Sequence, residues 1–162
     1  MPDVICNTSP VQYLYQVGLL HVLPSLAGHI IIPPAVAEEL ATGRAAGVRL
    51  PDPTRLEWMS IRQPTSAAAL PLITDLGPGE AEVLMLALES QDAIAILDDA
   101  LARKAAGILR LRVTGTLGLL LDAKRAGLIS AVGPVLDQLQ AAHFRVASRT
   151  RAAVLALAGE TP

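Results

Sequence analysis

An α/β fold built around a parallel sheet is the architecture this 162-residue sequence predicts. Two observations lead there. Short apolar runs alternate with segments of helical periodicity, which is the pattern of βα units. The composition is 52% hydrophobic and 17% charged, with a net charge of only −2, so one domain can bury a real core and a disordered chain is excluded. No internal repeat, low-complexity tract or domain boundary interrupts residues 1–162, which read as one domain.

The first strand is expected at 4–6. Ser9-Pro10-Val11-Gln12 then has the form of a capping box with proline at the first helical position. A second helical segment is expected over 19–26, before Gly28, and a compact strand over 30–32, halted by Pro33-Pro34. The next helix runs through Leu40 and ends near Thr42-Gly43. Residues 43–55 mix Gly, Pro and Arg without periodicity and read as a loop. A small edge strand is expected at 58–61 and a connection over 63–75. Gly77-Pro78-Gly79-Glu80 opens a helix reaching about Ser90, followed by a strand at 94–97, a helix over 100–109 and a strand at 111–113. Thr114-Gly115-Thr116 leads into a helix ending near Gly127. Two more helical patterns follow, over 134–142 and 148–158.

Charge is unevenly spread. Residues 1–100 hold twelve acidic and four basic side chains, net −8, whereas residues 101–162 hold three and nine, net +6. Such asymmetry fits a polyanion-binding face beside an acidic centre, or ordinary surface charge once the chain folds. Aromatic residues are only 2%, which argues against the common base-stacking modules for single strands. No apolar stretch reaches the roughly 18 residues of a membrane span, and Met1-Pro2-Asp3 lacks the basic start of a secretory signal. The single cysteine, Cys6, lies in the first strand, excludes an internal disulfide and reads as a buried structural thiol. These features predict a cytoplasmic protein with no membrane association.

Oxygen-bearing side chains recur where strands give way to helices. Asn7 follows the first strand, and Asp98-Asp99 follows Ala93-Ile94-Ala95-Ile96-Leu97. Helical phase, about 100° per residue, sorts the neighbouring acids. Glu39 falls at the margin of the Val36–Leu40 stripe, and Glu38 points away from it. Glu80 falls at the centre of the stripe formed by Val83, Leu84, Ala87 and Leu88, with Glu82 about opposite. Each position has a plainer reading: a turn for Asn7, a helix-dipole charge for Glu80, caps for the Asp pair, Ser9 and Thr116. Together, four elements supply hard oxygen ligands beyond strand ends, where ligands of open α/β sheets gather. Such ligands favour Mg²⁺ or Mn²⁺.

Other chemistries lack their residues. His21, His29 and His143 have no zinc spacing, Gly77-Pro78-Gly79 is followed by no P-loop Lys, and no nucleophile elbow occurs. A phosphoacceptor module built on Asp98-Asp99 lacks an obvious lysine after a later strand.

Five segments in order give these positions a context: Ile5-Cys6-Asn7-Thr8-Ser9-Pro10, Ile32-Pro33-Pro34-Ala35-Val36-Ala37-Glu38-Glu39-Leu40, Leu76-Gly77-Pro78-Gly79-Glu80-Ala81-Glu82, Leu97-Asp98-Asp99-Ala100-Leu101-Ala102-Arg103 and Val113-Thr114-Gly115-Thr116-Leu117-Gly118. In these the chain resembles the PIN-domain nuclease superfamily, specifically its DUF3368 branch, relatives of VapC-like toxins. The resemblance implies a Rossmann-like three-layer α/β/α sandwich with a mainly parallel sheet, and Mg²⁺- or Mn²⁺-dependent ribonuclease chemistry. It implies a catalytic set of Asn7, Glu39, Glu80, Asp98 and Asp99. Asn7, Glu80, Asp98 and Asp99 would hold the metal, and Glu39 would orient water or bind a second ion. Ser9, Arg103, Lys104 and Thr116 are the expected substrate contacts. RNA, a small antitoxin and a second copy of the chain are the implied partners. The departure is Asn7, where PIN nucleases usually carry aspartate, so a catalytically impaired RNA- or protein-binding module is the alternative.

Overall fold

Five short strands form one sheet in the order β3-β2-β1-β4-β5, and every neighbouring pair is parallel. The computed structural model describes residues 2–65 and 75–161, so part of the connection expected over 63–75 lies outside the described residues. Along the chain the elements are β1 (Asp3–Cys6), α1 (Thr8–Gln16), α2 (Val22–Ala27), β2 (Ile30–Ile32), α3 (Pro34–Ala45), a 3₁₀ turn (Pro53–Arg55) and β3 (Met59–Ile61). They continue as α4 (Pro78–Glu89), β4 (Ala93–Ile96), α5 (Ala100–Ile108), β5 (Arg112–Thr114), α6 (Thr116–Arg125), α7 (Gly133–Ala141) and α8 (Ser148–Leu157). With helices packed on the sheet, the result is the expected three-layer α/β/α arrangement.

The three inner strands are apolar along nearly their whole length because helices cover them. Ile5, Ile30, Ile32 and Ile96 are all below 2% exposed. Each fully buried side chain of this size contributes about 1.5–3 kcal/mol. Cys6 is buried and unpaired, as a structural thiol. Burial pushes its thiol far above the ordinary range, and the charge of Asp98 adds to the shift.

The strand order positions the site. From β1 the chain winds outward through β2 to β3, then crosses back to place β4 on the other side of β1. Ligand crevices of open α/β sheets form at such a reversal, beyond the carboxyl ends of the flanking strands. Register aligns Cys6 with Ile96 across β1 and β4. Asn7 and Asp98 therefore leave the sheet at the same edge of that crevice.

Several local expectations shift. The first cap of α1 is Asn7 rather than Ser9, because the Asn7 N–H still donates to the Ile96 carbonyl at 3.1 Å and the helix begins at once. Pro10 then sits inside the first helical turn, where a missing N–H costs no intrahelical bond. Gly115, not Thr116, is the cap of α6. Helix α3 runs past Thr42-Gly43 to Ala45, and Gly43 gives Leu50 room to pack against it. Residues 53–55 of the expected loop form the 3₁₀ turn, capped by Asp52 through the Thr54 N–H at 3.0 Å.

The C-terminal helices are tied down by Glu160. Its carboxylate accepts from the Val132 and Gly133 N–H groups at 2.8 and 2.9 Å and from Lys124 Nζ at 2.9 Å. These bonds, the backbone ones foremost, hold its pKa down to about 2. Among the described residues, no helix is long and apolar enough to cross a membrane.

Candidate active site

At the end of β1 the Asn7 side chain is 3% exposed and its Oδ1 has no hydrogen-bond partner among the described residues. It occupies the cap position of α1 yet makes no capping bond, so the plain turn reading does not account for it. Leaving such an oxygen buried and unpaired costs about 1–3 kcal/mol. Its neighbourhood is defined by Gly79, in the first turn of α4. A Cβ there would stand 2.9 Å from Asn7 Oδ1 and 2.8 and 3.0 Å from the two Glu39 oxygens. Asn7 and Glu39 thus face one small space over a glycine. Glu39 is half-buried, Glu38 is exposed, and Thr8 Oγ1 donates a short hydrogen bond to Glu39 Oε2.

Beyond β4 a second group forms. Asp98 accepts from the Thr116 N–H at 2.8 Å through Oδ1 and from the Thr116 hydroxyl at 2.6 Å through Oδ2. Thr116 is fully buried, so the start of α6 fixes the Asp98 carboxylate. Gly115 again makes the room: a Cβ there would lie 2.8 Å from Asp98 Oδ1 and 2.6 Å from Arg103 Nη1. Arg103 Nη1 also donates to the Leu97 carbonyl at 3.3 Å. Asp99 is exposed and caps α5, accepting from the Ala102 N–H at 2.9 Å.

Glu80, in the first turn of α4, turns back toward Gly77, where a Cβ would meet its Oε2 at 2.6 Å. Glu80, Asp98, Asp99, Ser9 and Arg103 all line one cleft of about 1150 Å³. Lys104 is exposed on α5 and does not line it. His143, Phe144 and Arg145 from the α7–α8 loop line the same cleft, and none of them is a site residue expected from the sequence. Glu82 is corrected: instead of facing solvent it is half-buried, and its Oε2 accepts the Ala35 N–H of α3 at 2.7 Å. Helix α4 packs against both the sheet and α3, so the side opposite its main stripe is not solvent.

Among the described residues, no three His, Cys, Asp or Glu side chains converge to hold an ion by themselves. The donors nevertheless suit a hard divalent cation. Mg²⁺ keeps several waters and needs only one or two carboxylates beside substrate phosphates. The unpartnered Asn7 Oδ1 beside the Glu39 carboxylate offers two convergent oxygen donors. The sequence grouped Asn7 with Glu80, Asp98 and Asp99; the structure sets it beside Glu39, with the Asp98 oxygens already accepting from Thr116.

A comparison with curated proteins gave no match. The profile of the DUF3368 family, described as a PIN domain, matches residues 3–160, nearly the whole chain. With its parallel five-stranded sheet and its polar residues gathered at the β1–β4 crevice, the chain belongs to the DUF3368 family of PIN domains.

Proposed function

We propose that this protein is a divalent-metal-dependent endoribonuclease acting as the toxin-like half of a toxin–antitoxin pair. PIN domains generally use divalent metals and act on RNA. The observation that carries the proposal for this chain is the buried, unpartnered Asn7 Oδ1 beside Glu39, at the crevice where the strand order reverses. Asn7 and Glu39 would hold the cation, with Glu80 and Asp98 lining the approach. A cation held there would polarise a phosphoryl oxygen and acidify a water. Glu39, which accepts a hydrogen bond from Thr8, would also orient the attacking water. Arg103 Nη1, set over Gly115 beside Asp98, would offset phosphate charge, and Thr116 keeps Asp98 in one orientation. The antitoxin and a second copy of the chain as partners rest on the family resemblance.

A second reading, an impaired nuclease that binds RNA or protein, is favoured by the amide at position 7 and the absence of three convergent acids among the described residues. One experiment separates the two. With Mn²⁺ the purified protein should cleave single-stranded RNA, and a chelator or Asp98→Asn should abolish cleavage. A silent wild type that gains activity in Asn7→Asp establishes the impaired reading instead. If calorimetry detects no divalent cation binding to either form, the metal site itself is wrong.

A further inference from the structure

Seven of the thirteen Lys and Arg side chains are ion-paired among the described residues: Arg44, Arg55, Arg62, Arg112, Lys124, Arg125 and Arg151. Among the described residues, Arg103 and Arg145 have no carboxylate within ion-pairing distance, and both line the cleft that holds Glu80, Asp98 and Asp99. Unneutralised cations in the same cleft as the acids suit a polyanion whose scissile phosphate reaches the acids while flanking phosphates meet the arginines.

Arg145 stands at a particular place in that path. His143, Phe144 and Arg145 border both the main cleft and a second hollow of about 710 Å³ reaching Gln140 and Ala147. The two depressions therefore meet at this loop. The loop is built to hold its shape. His143 adopts φ 72°, a left-handed conformation that strains a non-glycine residue. Helix α7 closes over it, with the Phe144 N–H donating to the Leu139 carbonyl at 2.9 Å. The Phe144 ring packs edge-on against Tyr13 of α1 at 4.9 Å between centroids. Anchored on both sides, the loop leaves Arg145 exposed between the two depressions.

We infer that Arg145, presented by the α7–α8 loop, binds a backbone phosphate of the substrate strand next to the cleavage position, so that the strand runs from the acidic wall into the second hollow. This rests on the nuclease reading above. It is tested by fluorescence anisotropy of a labelled twelve-nucleotide single strand, titrated at several salt concentrations in chelator so that nothing is cut. Arg145→Ala should weaken RNA binding several-fold and lower the slope of log affinity against log salt by about 0.7, the value for one phosphate contact on a single strand. Arg49→Ala removes an exposed cation outside the cleft and should change neither. RNA and DNA share the phosphodiester chemistry, so both strands are titrated, and the one showing the Arg145 dependence names the strand that uses the subsite. An Arg145→Ala effect no larger than that of Arg49→Ala overturns the inference while leaving the nuclease reading intact. A wild type that neither binds a single strand nor cuts one with Mn²⁺ removes the nuclease reading, and the subsite with it.

Discussion

Two glycines decide what the neighbouring polar side chains can do. Alanine in place of glycine inside a helix ordinarily stabilises by about 0.5–1 kcal/mol. At Gly79 the sign should reverse, since the new methyl would press on both Asn7 Oδ1 and the Glu39 carboxylate. Gly79→Ala is expected to cost about 1–3 kcal/mol and to abolish Mn²⁺ binding. Urea unfolding and calorimetry on the same preparation check both effects. A Gly79→Ala protein that is more stable and binds the cation unchanged would show that the space over this glycine is not the site. Gly115 plays the matching part beside Asp98 and Arg103. Both glycines were visible in the sequence as turn residues, but what each leaves room for comes from other elements.

Elements are coupled at their ends. Helix α3 starts with Pro33 at its cap and Pro34 in its first turn, neither of which has a side chain that can accept a hydrogen bond. The Ala35 N–H is instead satisfied by Glu82 from α4. That bond fixes the start of the helix carrying Glu39 relative to the helix carrying Gly79 and Glu80. Glu82→Ala should therefore destabilise the fold by about 0.5–2 kcal/mol, the usual value of a lost cap, and weaken cation binding although Glu82 does not face Asn7. Thermal unfolding together with Mn²⁺ titration tests this, and an unchanged melting temperature would refute it. The helical wheel assigned Glu82 to solvent because it measures direction about one axis. It carries no knowledge of a second helix packed on the other side.

Over the whole molecule, one carboxylate near the C-terminus joins α6 to the start of α7. Glu160 has a folded pKa of about 2, below its ordinary 4.5, so it binds a proton more weakly in the folded chain than in the unfolded one. Its stabilisation is complete above the unfolded value and is lost as pH falls through the folded value. Glu160→Gln should melt earlier than wild type at pH 7, with the gap closing between about pH 4.5 and pH 2. A gap that stays constant over that range would mean that the charge of Glu160 contributes nothing. Because α7 ends at the loop bearing Arg145, loosening this tie should also reach that side of the cleft lining.

The parallel α/β fold, the order of its strands and helices and the buried Cys6 were determined by the sequence. Apolar runs and helical periods express local preferences that packing here reinforced. Helical phase also separated the half-buried Glu39 from the exposed Glu38, because only one side of α3 is covered at that point. Which oxygens meet was decided by the tertiary structure. Parallel pairing of β1 with β4 brings residues about ninety positions apart to one edge, and no local pattern encodes that distance. The same folding gave Asp98 to Thr116, Asp99 to the start of α5, and Asn7 to Glu39. It also brought His143, Phe144 and Arg145 into one cleft with the acids. A side chain's chemistry is written in its own residue, but its partner is set by how distant elements pack.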